Sequence, residues 1–167
     1  EIRYEGYAPG GVALIVDALT DNRNRTAAEV RSSFTKYGGN LGETGSVSFM
    51  FNNVGQIIYK KNIKNDDEIF DIAIEVGAND VKSDDTNHEI ITSANDFNNI
   101  REKLESLLGT PDQAELIWSP ENNVQIDDQK NATSILKLLD TLDNCEDVQG
   151  VYGNFEINED ILKEIVL

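Results

Sequence analysis

Residues 54–118 read VGQIIYKKNIKNDDEIFDIAIEVGANDVKSDDTNHEIITSANDFNNIREKLESLLGTPDQAELIW, and two hydrophobic periods alternate along them. Gln56 to Lys60, Asp80 to Lys82, Glu89 to Thr92 and Ala114 to Trp118 are short segments of strand character. Between them, Asp66 to Val76 and Asn95 to Leu108 repeat apolar residues at helical spacing. Ile69, Phe70, Ala73 and Ile74 make one expected stripe, and Phe97, Ile100, Leu104, Leu107 and Leu108 the other. Asp66-Asp67-Glu68 opens the first helix, where carboxylates complement the positive end of the helix dipole. The order is β-α-β-β-α-β, the ferredoxin-like split βαβ arrangement, and it predicts a domain over residues 53–120.

Outward from this segment, Ile2 to Tyr7 alternates like a strand and Pro9-Gly10-Gly11 breaks it. The apolar run Val12 to Leu19 is then expected to be a helix. Thr26-Ala27-Ala28-Glu29 has the spacing of a capping box, which starts a second helix near Thr26 that Gly38-Gly39 ends. Val47, Phe49 and Phe51 fall on one side of an expected strand. After residue 120 come a strand over Val124 to Ile126, a helix bearing Ile135, Leu136, Leu139 and Leu142, a strand over Val148 to Tyr152, and a short helix from Glu159. Neither end holds enough elements for its own core. The economical architecture is α+β with two domains: residues 1–52 plus 121–167 form a discontinuous α+β domain, and the ferredoxin-like domain is inserted into it.

The net charge is −17, distributed as 5 basic against 6 acidic residues over 1–50, 4 against 10 over 51–100 and 5 against 15 over 101–167. Nucleic-acid affinity comes largely from Lys and Arg displacing counterions from phosphates, so residues beyond 50 would be repelled by a free duplex. That acidity reads either as a solubilising surface or as a face for a basic protein partner. No apolar run approaches a membrane span and the start is not a secretory signal, and the lone Cys145 fits a reducing, cytoplasmic location best. Because the first residue is Glu1 rather than Met, a preceding segment is expected.

Cys145 and His88 are each the only residue of their type, so no Cys/His zinc cluster or intrachain disulfide can form within this sequence. His88 is expected at a strand edge and Cys145 as an inert residue beside a helix end. Asp84-Asp85 and Asp127-Asp128 lack the ligand spacing of a calcium loop, and the glycine clusters match neither dinucleotide nor P-loop patterns. No catalytic residue, metal or cofactor is expected. The informative local feature is Arg23-Asn24-Arg25, beside the start of the Thr26 helix that also carries Arg31 and Lys36, with Tyr7 available for stacking. Two readings stand open for it: salt bridges to Asp17, Asp21 and Glu29, or a contact to a phosphate backbone or ribosomal RNA.

Tyr4-Glu5-Gly6-Tyr7-Ala8-Pro9-Gly10-Gly11-Val12-Ala13, Leu19-Thr20-Asp21-Asn22-Arg23-Asn24-Arg25-Thr26 and Gly38-Gly39-Asn40-Leu41-Gly42-Glu43-Thr44-Gly45-Ser46-Val47 closely resemble the YebC family. So do Glu75-Val76-Gly77-Ala78, Leu138-Leu139-Asp140 and Val148-Gln149-Gly150-Val151-Tyr152, which carry the likeness over nearly the whole chain. Ala8 departs from the pattern, where the family commonly has Gly. The resemblance implies a non-enzymatic gene-expression regulator, related to the mitochondrial translational activator of cytochrome oxidase. It also implies a basic N-terminal helical domain, absent from this sequence, ahead of two α+β domains. Family members are described both as DNA-binding transcription regulators and as ribosome-associated translation factors. The implied partners are the ribosome, through its RNA and basic proteins, or DNA, met mainly by the missing domain. A monomer is expected. The resemblance supplies no site residues, so Arg23, Arg25, Arg31, Lys36 and Tyr7 rest on charge and placement.

Overall fold

The apolar run after Pro9-Gly10-Gly11 is a strand, not the expected helix. In the computed structural model, which describes residues 1–165, Ile2–Ala8 (β1) and Val12–Ala18 (β2) form an antiparallel hairpin. Gly10 and Gly11 turn it with φ of 84° and 77°, a region that favours glycine. Val12, Leu14 and Val16 on one face of β2 are fully buried, and so are Ala13 and Ile15 on the other. A strand covered on both faces loses the alternation that separates strand from helix in a sequence, and only its β-branched residues hint at the outcome.

The next helix, Arg23–Lys36 (α1), begins before the expected Thr26 because Asn22 is its N-cap, the side chain accepting from the Arg25 N–H at 3.1 Å. Thr26 is instead buried inside the first turns, its Oγ1 3.2 Å from the Asn22 carbonyl. Gly38 follows the helix with φ 83°, and a two-residue strand, Asn40–Leu41 (β3), pairs with β1. Val47 and Phe49 are not on a strand. Buried Glu5 captures the N–H groups of Gly45, Val47 and Ser48, which bends residues 45–48 and leaves Ser48–Met50 as a 3₁₀ turn before β4 starts at Phe51.

The remaining elements are Phe51–Lys60 (β4), Asp66–Glu75 (α2), Asp80–Ser83 (β5), Asn87–Ser93 (β6), Phe97–Leu108 (α3), Gln113–Pro120 (β7), Val124–Ile126 (β8), Gln129–Asp143 (α4), Val148–Gly153 (β9), Phe155–Ile157 (β10) and Glu159–Glu164 (α5). Among the described residues they fall into two compact units, one of residues 1–52 with 119–165, the other of residues 53–118.

In the first unit a four-stranded sheet runs β3-β1-β2-β9, and β8 pairs parallel with β10. Val12, Leu14 and Val16 pack with Val30 and Phe34 of α1 and with Ala132, Ile135, Leu138 and Leu142 of α4, so residues from both ends of the chain share one core. The buried stripe of α4 runs through Ala132, Ile135, Leu138 and Leu142, while Leu136 and Leu139, also among the apolar residues read for this helix, are half-buried. Gly6 allows α1 to approach β1, since a Cβ there would meet the Asn40 carbonyl oxygen at 2.6 Å and Phe34 at 2.9 Å.

In the second unit the sheet order is β5-β6-β4-β7, with β6 antiparallel to both its neighbours, β4 and β5. With the β-α-β-β-α-β element order, this places β6 between the two strands that α2 connects, as a split βαβ unit requires. Ile57, Tyr59 and Ile90 meet Ile69 and Ala73 of α2 and Phe97, Ile100 and Leu104 of α3. Phe70, Ile74 and Leu107, expected in the stripes, are exposed, and Ile72 and Val76 complete the contact of α2 instead. The capping of α2 is reciprocal: Asn65 accepts from the Glu68 N–H at 2.8 Å and donates to its carboxylate at 2.6 Å.

His88 is not at a strand edge. It lies on β6, flanked by β4 and β5, and is fully buried. Its Nε2 is 3.1 Å from the Lys61 carbonyl and 2.9 Å from that of Lys64, so this nitrogen carries the proton, while Nδ1 faces Ser83 Oγ at 2.6 Å.

Candidate nucleic-acid interface

The Asn22 cap makes Arg23 the first residue of α1 and Arg25 the third, so two cations occupy a helix end that carries no acidic residue in its first turn. The dipole alone would disfavour them. Arg25 is compensated by Asp147, whose Oδ2 lies 2.8 Å from its Nη2, and by Asp21 at 3.3 Å. The same Asp147 oxygen accepts from Thr26 Oγ1 at 2.8 Å and from Thr20 Oγ1 at 3.1 Å, and the Asp147 carbonyl accepts from the Leu19 N–H at 2.9 Å. Arg25 and the two threonine hydroxyls hold the Asp147 carboxyl below its ordinary value, and Asp147 raises the Arg25 guanidinium in turn. Arg25 therefore ties the start of α1 to the loop before β9. Of the acids expected to pair with it, Asp21 does so, and Asp147 was not legible because it lies 122 residues away.

The other candidates are exposed but dispersed. At about 100° per residue, Arg23 sits about 160° and Arg31 about 120° around the helix from Arg25. Lys36 returns to the side of Arg25 but about 16 Å further along the axis, and stands 5.4 Å from the Tyr37 ring. Tyr7 is 40% exposed on the opposite face of the sheet, because Ala8 and Gly6, its neighbours in β1, point toward α1. The structure thus does not gather the five residues into one patch.

Two groups that carry chemistry were missed by sequence reasoning. Glu5 is fully buried and accepts from the N–H of Gly45 at 2.7 Å, of Val47 at 3.1 Å and of Ser48 at 2.6 Å, and from Arg3 Nε at 3.2 Å. Burial pushes its carboxyl up, but the three backbone donors outweigh that and bring it down to about 2. Phe49 is 71% exposed on the 3₁₀ turn that follows the segment Glu5 pins, not on one side of a strand with Val47 and Phe51 as the alternating pattern suggested. Elsewhere, Asp84 accepts from the N–H groups of Thr86 and Asn87, and Asp128 caps α4, so these acids serve the backbone. Among the described residues no three His, Cys, Asp or Glu side chains converge as metal ligands, and no helix is long and apolar enough to cross a membrane.

The profile described as "TACO1/YebC second and third domain" matches residues 1–155. The chain belongs to this family. Among its TACO1/YebC relatives, a "probable transcriptional regulatory protein" of Rickettsia bellii is 54% identical over 161 residues, covering 96% of this chain and 63% of the relative. One of the same description from Rickettsia conorii is 52% identical over 165 residues, covering 99% of the chain and 65% of the relative. The chain thus spans just under two thirds of the length of these TACO1/YebC proteins. The crystal structure of a conserved hypothetical protein from Aquifex aeolicus superposes with a TM-score of 0.89 at 47% identity, covering 97% of this chain and 67% of that one.

Proposed function

We propose that this chain is the two-unit part of a YebC-type gene-expression regulator that works non-enzymatically on the ribosome in the cytoplasm, through RNA and basic protein contacts. The observation that carries this reading is electrostatic: a net charge of −17, with Arg25 already neutralised and the remaining candidate cations scattered over α1. A surface of that kind weakens counterion-release binding to free duplex DNA. A ribosome, by contrast, offers basic protein surface beside RNA. Exposed Arg23, Arg31, Lys36 and Tyr7 are then the groups available to single RNA contacts. A DNA-binding transcription regulator is the second reading, favoured by the names of the relatives.

In vivo cross-linking of the full-length protein separates the two. Ribosomal RNA and ribosomal proteins should dominate what is recovered, and Arg23→Glu with Arg31→Glu should lower that yield without altering the melting temperature. Recovery of discrete chromosomal DNA sites in their place would reverse the assignment.

A further inference from the structure

The turn carrying Phe49 borders a cleft of about 290 Å³ lined by Phe49, Met50, Glu121, Asn122, Val124 and Asn154, among others. Its walls are braced by backbone hydrogen bonds within the first unit. Glu121 N–H donates to the Met50 carbonyl at 3.0 Å, Val124 N–H donates to that of Asn154, and Asn154 N–H donates to that of Ala13 at 3.2 Å. Glu5 anchors the Phe49 turn through the Val47 and Ser48 N–H groups. The cleft is preformed, and an ordering cost on binding is correspondingly small.

Its chemistry is specific. Asn154 is 5% exposed, and its Oδ1 accepts from the Ala13 N–H at 2.8 Å. The Nδ2 donors are left uncommitted among the described residues. An exposed aromatic side chain, an exposed carboxylate and the side-chain amide of the largely buried Asn154 therefore border one small volume, just below the roughly 300 Å³ at which small-molecule sites begin. That volume suits a single side chain. A planar guanidinium stacks on an aromatic face and bonds a carboxylate through its fork, and a peptide carbonyl beside it accepts from an amide. Residues 119–167, which supply Glu121 and Asn154, hold 11 acidic residues against three basic ones, a field that attracts a basic segment and opposes a phosphate backbone.

We propose that the cleft between Phe49, Glu121 and Asn154 is a docking site for an arginine side chain presented by a basic protein segment. This extends the ribosomal reading by naming the chemistry of one contact, and the two fail separately. Peptide binding is measured on the isolated chain, whereas the ribosomal role is read by cross-linking in cells.

The test is NMR titration of the 167-residue chain with acetyl-Gly-Gly-Arg-Gly-Gly-amide, its lysine counterpart and a pentauridylate oligonucleotide. Saturable shifts centred on Phe49, Glu121 and the Asn154 side-chain amide are expected with the arginine peptide, at least about fivefold tighter than with lysine. Phe49→Ala and Glu121→Gln, both at exposed positions, should each weaken binding about fivefold while keeping the parent melting temperature. Equal binding of the lysine peptide, no saturable shift, or indifference to both substitutions would overturn the proposal. Shifts at the same residues with pentauridylate alone would reassign the cleft to RNA.

Discussion

Glu5 shows how a single residue redirects a segment. Its carboxylate occupies the concavity made by the N–H groups of Gly45, Val47 and Ser48, so residues 45–48 bend around it instead of forming a strand. The folded-state value of about 2 lies below the ordinary 4.5, so the stabilisation is complete above pH 4.5 and disappears as pH falls through 2. A shift of this size corresponds to about 3 kcal/mol. Urea unfolding between pH 5 and pH 2 should lose that much more stability in the parent than in Glu5→Gln, whose amide does not titrate. Parallel curves for the two would remove Glu5 from the acid response. His88 is a second case. Replacing it by Ala leaves the Lys61 and Lys64 carbonyls without their donor and opens space in the core of the second unit, a cost of about 2–4 kcal/mol in denaturant unfolding. Neither residue announced itself in the sequence, because a lone Glu on a strand and a lone His near a turn look like surface residues until their surroundings are known.

Elements were legible where burial is one-sided. The helices α2 and α3 and the strands around them follow from period and capping, since each presents one face to the core and one to solvent. The start of α1 shows the limit. A Thr-x-x-Glu spacing suits a capping box, yet Asn22 is at least as good a cap and lies earlier, and Thr26 Oγ1 is drawn to Asp147. The two caps make opposite forecasts. Asn22→Ala should destabilise the chain by about 1 kcal/mol, while Glu29→Ala should stay within about 0.5 kcal/mol, as a surface substitution does. Thermal melts of the two variants decide between them. The candidate interface suffered from the same limit, because the expected grouping of Arg23, Arg25, Arg31 and Lys36 ignores both their angles around α1 and the distant acid that pairs with Arg25.

For the whole molecule, the two cores make unequal demands on the chain. Residues 53–118 contain every side chain of the second core, whereas the first core draws Val12, Leu14 and Phe34 from one end and Ile135, Leu138 and Leu142 from the other. A fragment of residues 53–118 should therefore unfold cooperatively and give dispersed amide resonances. Residues 1–52 alone should not, since β2 would lose β9 and the cover of α4. A stable 1–52 fragment would mean that the hairpin and α1 suffice for a core.

The mixed α+β class, the β-α-β-β-α-β order expected over residues 53–120 and the family could be read from the sequence, because amphipathic periods, turn residues and short motifs are local properties. That Val12–Ala18 is a strand, that Phe49 faces outward and that Arg25 is bound to Asp147 depended on contacts made in the folded chain. In each case the deciding partner comes from a remote part of the fold or from a strand on the other side: β9 beside β2, Glu5 beneath residues 45–48, Asp147 beside α1. Such partners change which conformation is lowest in free energy without leaving any trace in the local pattern.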